Sequence, residues 1–201
     1  MISRKGAKGA KGKQGREEIM KTIEVRIEGI SPLLQHRFAV EDHDAKSKKQ
    51  SATSGDADIK KSLYQLPDGT VYQPAEHLMG ALKTAGPSFQ IPGRRKVTYK
   101  NVVSGGYLII EPFAIPHLNP KWEIDSRPVV VPATKGRVLR KRPCFREWAL
   151  SFKFIVDEME IPVAVLKEML DLAGRNVGIG DFRPAKGGSF GRFQVTRFEV
   201  Q

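Results

Sequence analysis

Apolar side chains recur along this chain with two periods, and the switches between them mark out its elements. From Thr22 to Ile30, Ile23, Val25 and Ile27 alternate with Glu24, Arg26 and Glu28, the two-residue period of a half-buried strand, closed by Gly29 and Pro32. Leu63 to Tyr72 predicts a small hairpin whose arms, L-Y-Q-L and T-V-Y, meet at Pro67-Asp68-Gly69. From Ala75 to Ala85 the period lengthens to that of a helix: Leu78, Ala81, Leu82 and Ala85 share one face, Pro74 opens the element and Gly86-Pro87 stops it. His77 on that helix reads as a surface or boundary residue. A second strand is expected from about Gly106 through Tyr107, Leu108, Ile109 and Ile110, and a third with Leu150, Phe152, Phe154 and Val156 inward. A second helix follows Pro162, with Val163, Leu166, Met169, Leu170 and Ala173 in one stripe and Gly174 placed as its cap. Arg192 to Val200 is the last strand. Its apolar phase shifts from Phe193 and Val195 to Phe198 and Val200, which predicts a bulge near Thr196-Arg197.

Strand, helix, strand, strand, helix, strand is the order of the ferredoxin-like βαββαβ fold. It is an α+β arrangement with an antiparallel sheet, two helices on one face, and the other face left to a ligand or a neighbour. Two stretches interrupt it. At about 39–62 the polar run E-D-H-D-A-K-S-K-K-Q-S-A-T-S-G-D-A-D-I-K-K has no apolar period and reads as a long disordered loop. At about 115–146, Pro116, Pro120, Pro128, Pro132 and Pro143 space out short extended pieces such as Val129 to Val131, so this insertion is expected to be irregular. Ahead of the folded part, residues 1–20 are expected to form a disordered basic arm, because Arg4, Lys5, Lys8, Lys11, Lys13 and Arg16 stand among almost no apolar side chains. Residues 21–201 then make one domain with long basic loop insertions.

Charge directs attention to a polyanionic partner. The 201 residues carry 34 Lys+Arg against 22 Asp+Glu, a net +12, with a pI near 9.9. The single cysteine, Cys144, excludes an intrachain disulfide framework and a cysteine-rich zinc site, and points to a reducing compartment. No apolar run is long enough to span a membrane and no signal-peptide pattern follows the basic N-terminus, so a cytoplasmic protein without a membrane partner is expected.

The cations gather in loops. Arg37 lies with His36 just beyond the first strand, and Arg94, Arg95 and Lys96 lie in the turn after the first helix. Lys135, Arg137, Arg140, Lys141 and Arg142 form the most basic run, within the second insertion. The stretch Gly174 to Phe193, G-R-N-V-G-I-G-D-F-R-P-A-K-G-G-S-F-G-R-F, interleaves Arg183, Lys186 and Arg192 with Gly187, Gly188 and Phe190. Glycine lets backbone approach a ligand, arginine offers forked donors to phosphate, and phenylalanine offers a face to a base. That composition reads either as a phosphate-and-base surface or as a flexible, solvated hairpin loop.

Two of these segments carry a resemblance. L-Y-Q-L-P-D-G-T-V-Y-Q-P-A-E-H-L-M-G-A-L-K, Leu63 to Lys83, looks like the pattern in which a proline and a small residue open a helix that contains G-x-L-[KR]. The closing G-x-G and G-G-S-F-G-R-F resemble a C-terminal glycine-rich loop. Both belong to the RAMP superfamily, the ferredoxin-like RNA-binding proteins of CRISPR effector complexes, and the backbone-subunit branch fits best. The resemblance implies that Gly80, Leu82 and Lys83 lie in the helix motif and that Gly187 to Phe193 packs against that helix and a bound strand. Ala75-Glu76 stands where the family often has a serine pair, which removes two hydroxyls from phosphate binding and adds an acid.

The leading expectation is therefore a binding protein for single-stranded RNA or DNA. It would polymerise along the strand as a homo-oligomer with other effector subunits and need no cofactor, while bases stack on exposed aromatics. An endoribonuclease is the alternative. Relatives that cut with an aspartate after the first strand point to Asp42 and Asp44, with a divalent metal, and relatives that use a histidine near that strand point to His36. A phage or replication accessory protein that binds single strands without a guide is the third reading.

Overall fold

The computed structural model describes residues 20–37, 56–130 and 136–201. The alternating segment at the start is strand β1, Met20–Gly29, and Ile23, Val25 and Ile27 are buried along it. It pairs antiparallel with β8, Ala149–Asp157, in a register that sets Ile23, Val25 and Ile27 opposite Phe154, Phe152 and Leu150, so both apolar sets cover one sheet face. On its other side β1 pairs with β9, Phe193–Val200. There the register slips between Arg26 and Ile27, opposite Arg197 and Val195, and leaves Thr196 as the extra residue of the bulge that the apolar phase shift announces. Strand β4, Leu108–Glu111, adds to the outer edge of β8, and the sheet runs β4-β8-β1-β9, antiparallel throughout.

Two amphipathic helices cover the apolar face. Helix α2, Ala75–Ala85, buries Ala75, Leu78, Ala81, Leu82 and Ala85; helix α4, Val163–Leu172, buries Leu166, Met169 and Leu170. These residues and the inward faces of β1 and β8 belong to one continuous core. The chain is thus a mixed α+β structure of antiparallel sheets and helices. The expected cap at Gly174 differs from what is found. The helix runs on through a π turn, Ala173–Val177, and reverses only at Gly178, whose φ is 70°. Gly174 is instead packed so closely on Phe193 that a Cβ would collide with its carbonyl.

Three further elements depart from the expected loops. Within the polar insertion, Asp56–Lys61 is a short helix, α1, held by the buried Ile59. After α2, Tyr99–Val103 is another helical turn, α3, with Tyr99, Val102 and Val103 buried. The second insertion is regular: β5, Ala114–Pro116, pairs with β3, Tyr72–Pro74, while β6, Glu123–Val130, and β7, Arg137–Phe145, form a long antiparallel ribbon. Strand β2, Leu33–Leu34, joins the other side of β7, giving a second sheet ordered β2-β7-β6.

The sheet face away from the helices carries a lattice of charges. Glu24 pairs with Lys153 at 3.6 Å and Arg197 at 3.2 Å, and Arg197 also reaches Glu199 at 2.6 Å. A groove of about 770 Å³ crosses this face beside the exposed Phe113. Phe152 and Phe154 lie on the core face and are buried, so neither sheet phenylalanine offers a stacking platform there.

Candidate nucleic-acid interface

The glycine-rich stretch is hydrogen-bonded along the edge of the second sheet, beside β2. Asp181 N–H donates to the Leu34 carbonyl at 2.8 Å, Gly191 N–H to Pro32 at 2.7 Å, and Ile30 N–H to Arg192 at 2.9 Å. Between these ties, Pro184–Lys186 makes one 3-10 turn that ends on Gly187 with φ 77°, a left-handed conformation that favours glycine. Gly188 has another cause: a Cβ there would collide with the Phe182 carbonyl. Both glycines thus meet demands of the loop's own backbone. The loop is hydrogen-bonded to the segment after β1 and to β2 rather than standing free as a hairpin.

Side chains from the ribbon lock the loop in place. Arg142 on β7 is 6% exposed, and its Nε lies 2.6 Å from Asp181 Oδ2. The approach is off the N–H direction, so Arg142 Nε and Nη1 are without a hydrogen-bond partner among the described residues. On β6 the Arg127 guanidinium lies 4.4 Å from the centre of the Phe190 ring and is chelated by both Asp125 oxygens at 2.6 Å. Phe190 packs with Leu34 and Cys144 in a small core of its own. Two residues expected at a nucleic-acid surface are therefore interior. Phe190 offers no open ring face, and Arg142 holds the loop to the ribbon. Phe190 is covered by Leu34 of β2, Cys144 of β7 and the Arg127 guanidinium, while Arg142 turns from β7 toward Asp181 of the loop.

Other expected cations stay at the surface. Arg37, Arg137, Arg140, Lys186 and Arg192 are exposed, and Lys141 is half-buried. Arg192 Nε also donates to the Arg175 carbonyl at 2.9 Å, and the half-buried Arg183 donates through Nη1 to Gly180 at 2.9 Å. The exposed Lys83, in the last turn of α2, and Arg94, Arg95 and Lys96, in a turn closed by Ile91 N–H on Val97, are joined to the loop by no bond or ion pair among the described residues. Asp42, Asp44 and Lys135 lie outside the described residues. Among the described residues, no three His, Cys, Asp or Glu side chains converge as metal ligands.

His36 follows β2 and sits in the field of Asp181, Arg142 and Arg140. Partial desolvation, ahead of these charges, lowers its pKa below the ordinary histidine value. Arg37 is placed beside it by its N–H, which donates to Ser62 at 2.8 Å.

Beneath these residues lies a polar chain that no local motif announces. Gln35 is fully buried. Its Oε1 accepts from Tyr64 N–H at 3.0 Å, and its Nε2 donates to the Tyr72 carbonyl at 2.9 Å and to Gln73 Oε1 at 3.0 Å. Gln73 Nε2 is in turn hydrogen-bonded to His77 Nδ1. These partners fix both amides: flipping Gln35 would set oxygen against the Tyr72 carbonyl and N–H against N–H at Tyr64. His77 Nδ1 is then an acceptor and its proton sits on Nε2. Burial holds its pKa down, with the Arg183 charge adding to the effect. His117, stacked on Phe145 at 4.3 Å between ring centres, places Nε2 3.3 Å from Gln35 Nε2, while its buried Nδ1 lacks a partner among the described residues. Desolvation lowers its pKa to about 4. His77 is thus half-buried and fixed in a network.

No protein-family model matches the chain, and no curated protein does. Solved structures do match its fold. One is a chain of the cryo-EM structure of the Type III-B Cmr-beta bound to cognate target RNA, with a TM-score of 0.52 and 14% identity over 95% of this chain. The match spans 64% of that chain's length. No helix among the described residues is long and apolar enough to cross a membrane.

Proposed function

We propose that this chain is a single-stranded RNA-binding subunit of a CRISPR-type ribonucleoprotein, a RAMP protein of the backbone kind that repeats along the strand beside other effector subunits. One observation carries the reading. The glycine-rich loop, the β6–β7 ribbon and the end of β2 are tied into one unit that carries the exposed Arg37, Arg140, Lys186 and Arg192 and the half-buried Arg183. Guanidinium groups on a net-positive chain, two of them (Arg183 and Arg192) held by bonds to backbone carbonyls, suit a phosphate backbone. The sheet order β4-β8-β1-β9 with two covering helices supports a ferredoxin-like core, and the likeness to an RNA-bound effector subunit points the same way.

Purification followed by nuclease treatment tests this. The protein should carry nucleic acid that ribonuclease removes and deoxyribonuclease leaves, and single-stranded RNA should bind with steep salt dependence, each phosphate contact adding about 0.7 to the log–log slope. Equal binding of single-stranded DNA would favour the guide-free accessory reading, and no binding of either would overturn the proposal.

A further inference from the structure

Joined to the end of β2 through Gln35 are three rings that belong to neither the basic loops nor the core. Tyr64 packs edge-on against Tyr72, 5.7 Å between ring centres, and edge-on against His77, 5.4 Å. All three are half-buried. The rings are positioned from below by the amide chain: Gln35 holds the backbone of Tyr64 and Tyr72, and Gln73 holds His77 with its proton on Nε2. Arg37 lies close enough to Tyr64, and Arg183 close enough to His77, for their charges to act on those groups. The acidic neighbour on the same side is Glu76, which acts on both Tyr64 and His77.

We propose that Tyr64, Tyr72 and His77 form a seat for one nucleobase of the bound strand, with its flanking phosphates on Arg37 and Arg183. Base rather than phosphate belongs at the rings because Glu76 repels an anion there, whereas a base presents a π face to Tyr64 and acceptor atoms to His77 Nε2–H. The two guanidinium groups nearby suit the phosphates. The seat supplies the stacking that Phe190, enclosed by Arg127, does not. This inference rests on the single-strand reading above and assigns to it a point of base contact.

The test uses the full chain with two probes, an oligoadenylate RNA and inorganic polyphosphate, which has charge and no bases. Tyr64→Leu should weaken RNA binding about tenfold or more, as expected for one lost stack, with the salt slope and polyphosphate binding unchanged. Tyr64→Phe should bind like the parent, and Arg183→Ala should weaken both probes and flatten the slope. RNA carrying 4-thiouridine, irradiated on the unmutated protein, should crosslink to the peptides of Tyr64, Tyr72 or His77, a readout independent of how any variant folds. Tyr64→Leu binding RNA like the parent, losing both probes equally, or crosslinks confined to other peptides would overturn the base seat and leave the single-strand reading standing. A parent protein that binds no RNA would overturn that reading itself.

Discussion

His117 should make this fold acid-sensitive by an amount that the buried amide chain sets. Gln35 Nε2 has two hydrogens and three acceptors in reach, namely the Tyr72 carbonyl at 2.9 Å, Gln73 Oε1 at 3.0 Å and His117 Nε2 at 3.3 Å. His117 can face that amino group only as an acceptor, so a second proton would place N–H against N–H in a site that is 6% exposed. Its folded pKa of about 4 lies below the ordinary 6.5. The unfolded chain therefore takes up the proton first. The stability that neutral His117 contributes is complete above about pH 6.5 and is lost as pH falls toward 4. Each pH unit across that window is worth about 1.4 kcal/mol, so the loss approaches about 3 kcal/mol. Urea unfolding of the parent and of His117→Leu at several pH values isolates the effect, because the lowered pKa values of His36 and His77 act in the same direction in both proteins. Gln35 keeps two acceptors in the variant, so its network survives. Parallel stability curves for the two proteins between pH 6.5 and 4 would refute the assignment.

The Arg142–Asp181 pair should respond unequally to its two deletions: Asp181→Ala strands a buried guanidinium and should cost about 3 kcal/mol or more, whereas Arg142→Met should cost less. Equal losses in thermal unfolding would contradict this. Gly80 is an exposed mid-helix glycine whose added Cβ meets nothing, so Gly80→Ala should raise stability by about 1 kcal/mol; no gain in a urea titration would show that the helix frays there. Metal-dependent cleavage of unguided single strands is expected to be absent. Cutting that disappears in Asp42→Ala or Asp44→Ala would promote the endoribonuclease reading, and metal-independent cutting lost in His36→Ala would do so through acid–base chemistry.

The core was legible because its pattern is written in neighbouring residues: a two-residue period gives β1 and β8, and a helical stripe gives α2 and α4. Even the bulge at Thr196 showed as a shift of apolar phase. The β6–β7 ribbon was not legible, since its prolines read as breaks. Pro128 lies on β6, the outer strand of β2-β7-β6, where a missing N–H costs no ladder bond toward solvent. Helix α1 escaped notice because Ile59 is the one large apolar residue in D-A-D-I-K-K and sets no period. The amide chain was invisible for a different reason. Gln35 meets Gln73 across 38 residues and His117 across 82, and a glutamine read singly looks like surface.

The placement of the glycine-rich loop separates geometry from charge in binding. Gly188 is required by the Phe182 carbonyl, so Gly188→Val should disrupt the loop itself and lower the melting temperature together with affinity, rather than block a strand on an intact fold. Gly187→Ala introduces a side chain at φ 77° into open space and should cost only about 1 kcal/mol, with binding retained. Lys186→Ala removes a charge alone and Arg192→Ala a charge together with its bond to the Arg175 carbonyl, and each should give a partial loss that fades as salt rises. Circular dichroism melts beside RNA titrations at two salt concentrations distinguish the three classes. A Gly188→Val protein that melts like the parent but no longer binds would show that backbone approach, and not the packing against Phe182, is why glycine stands at that position.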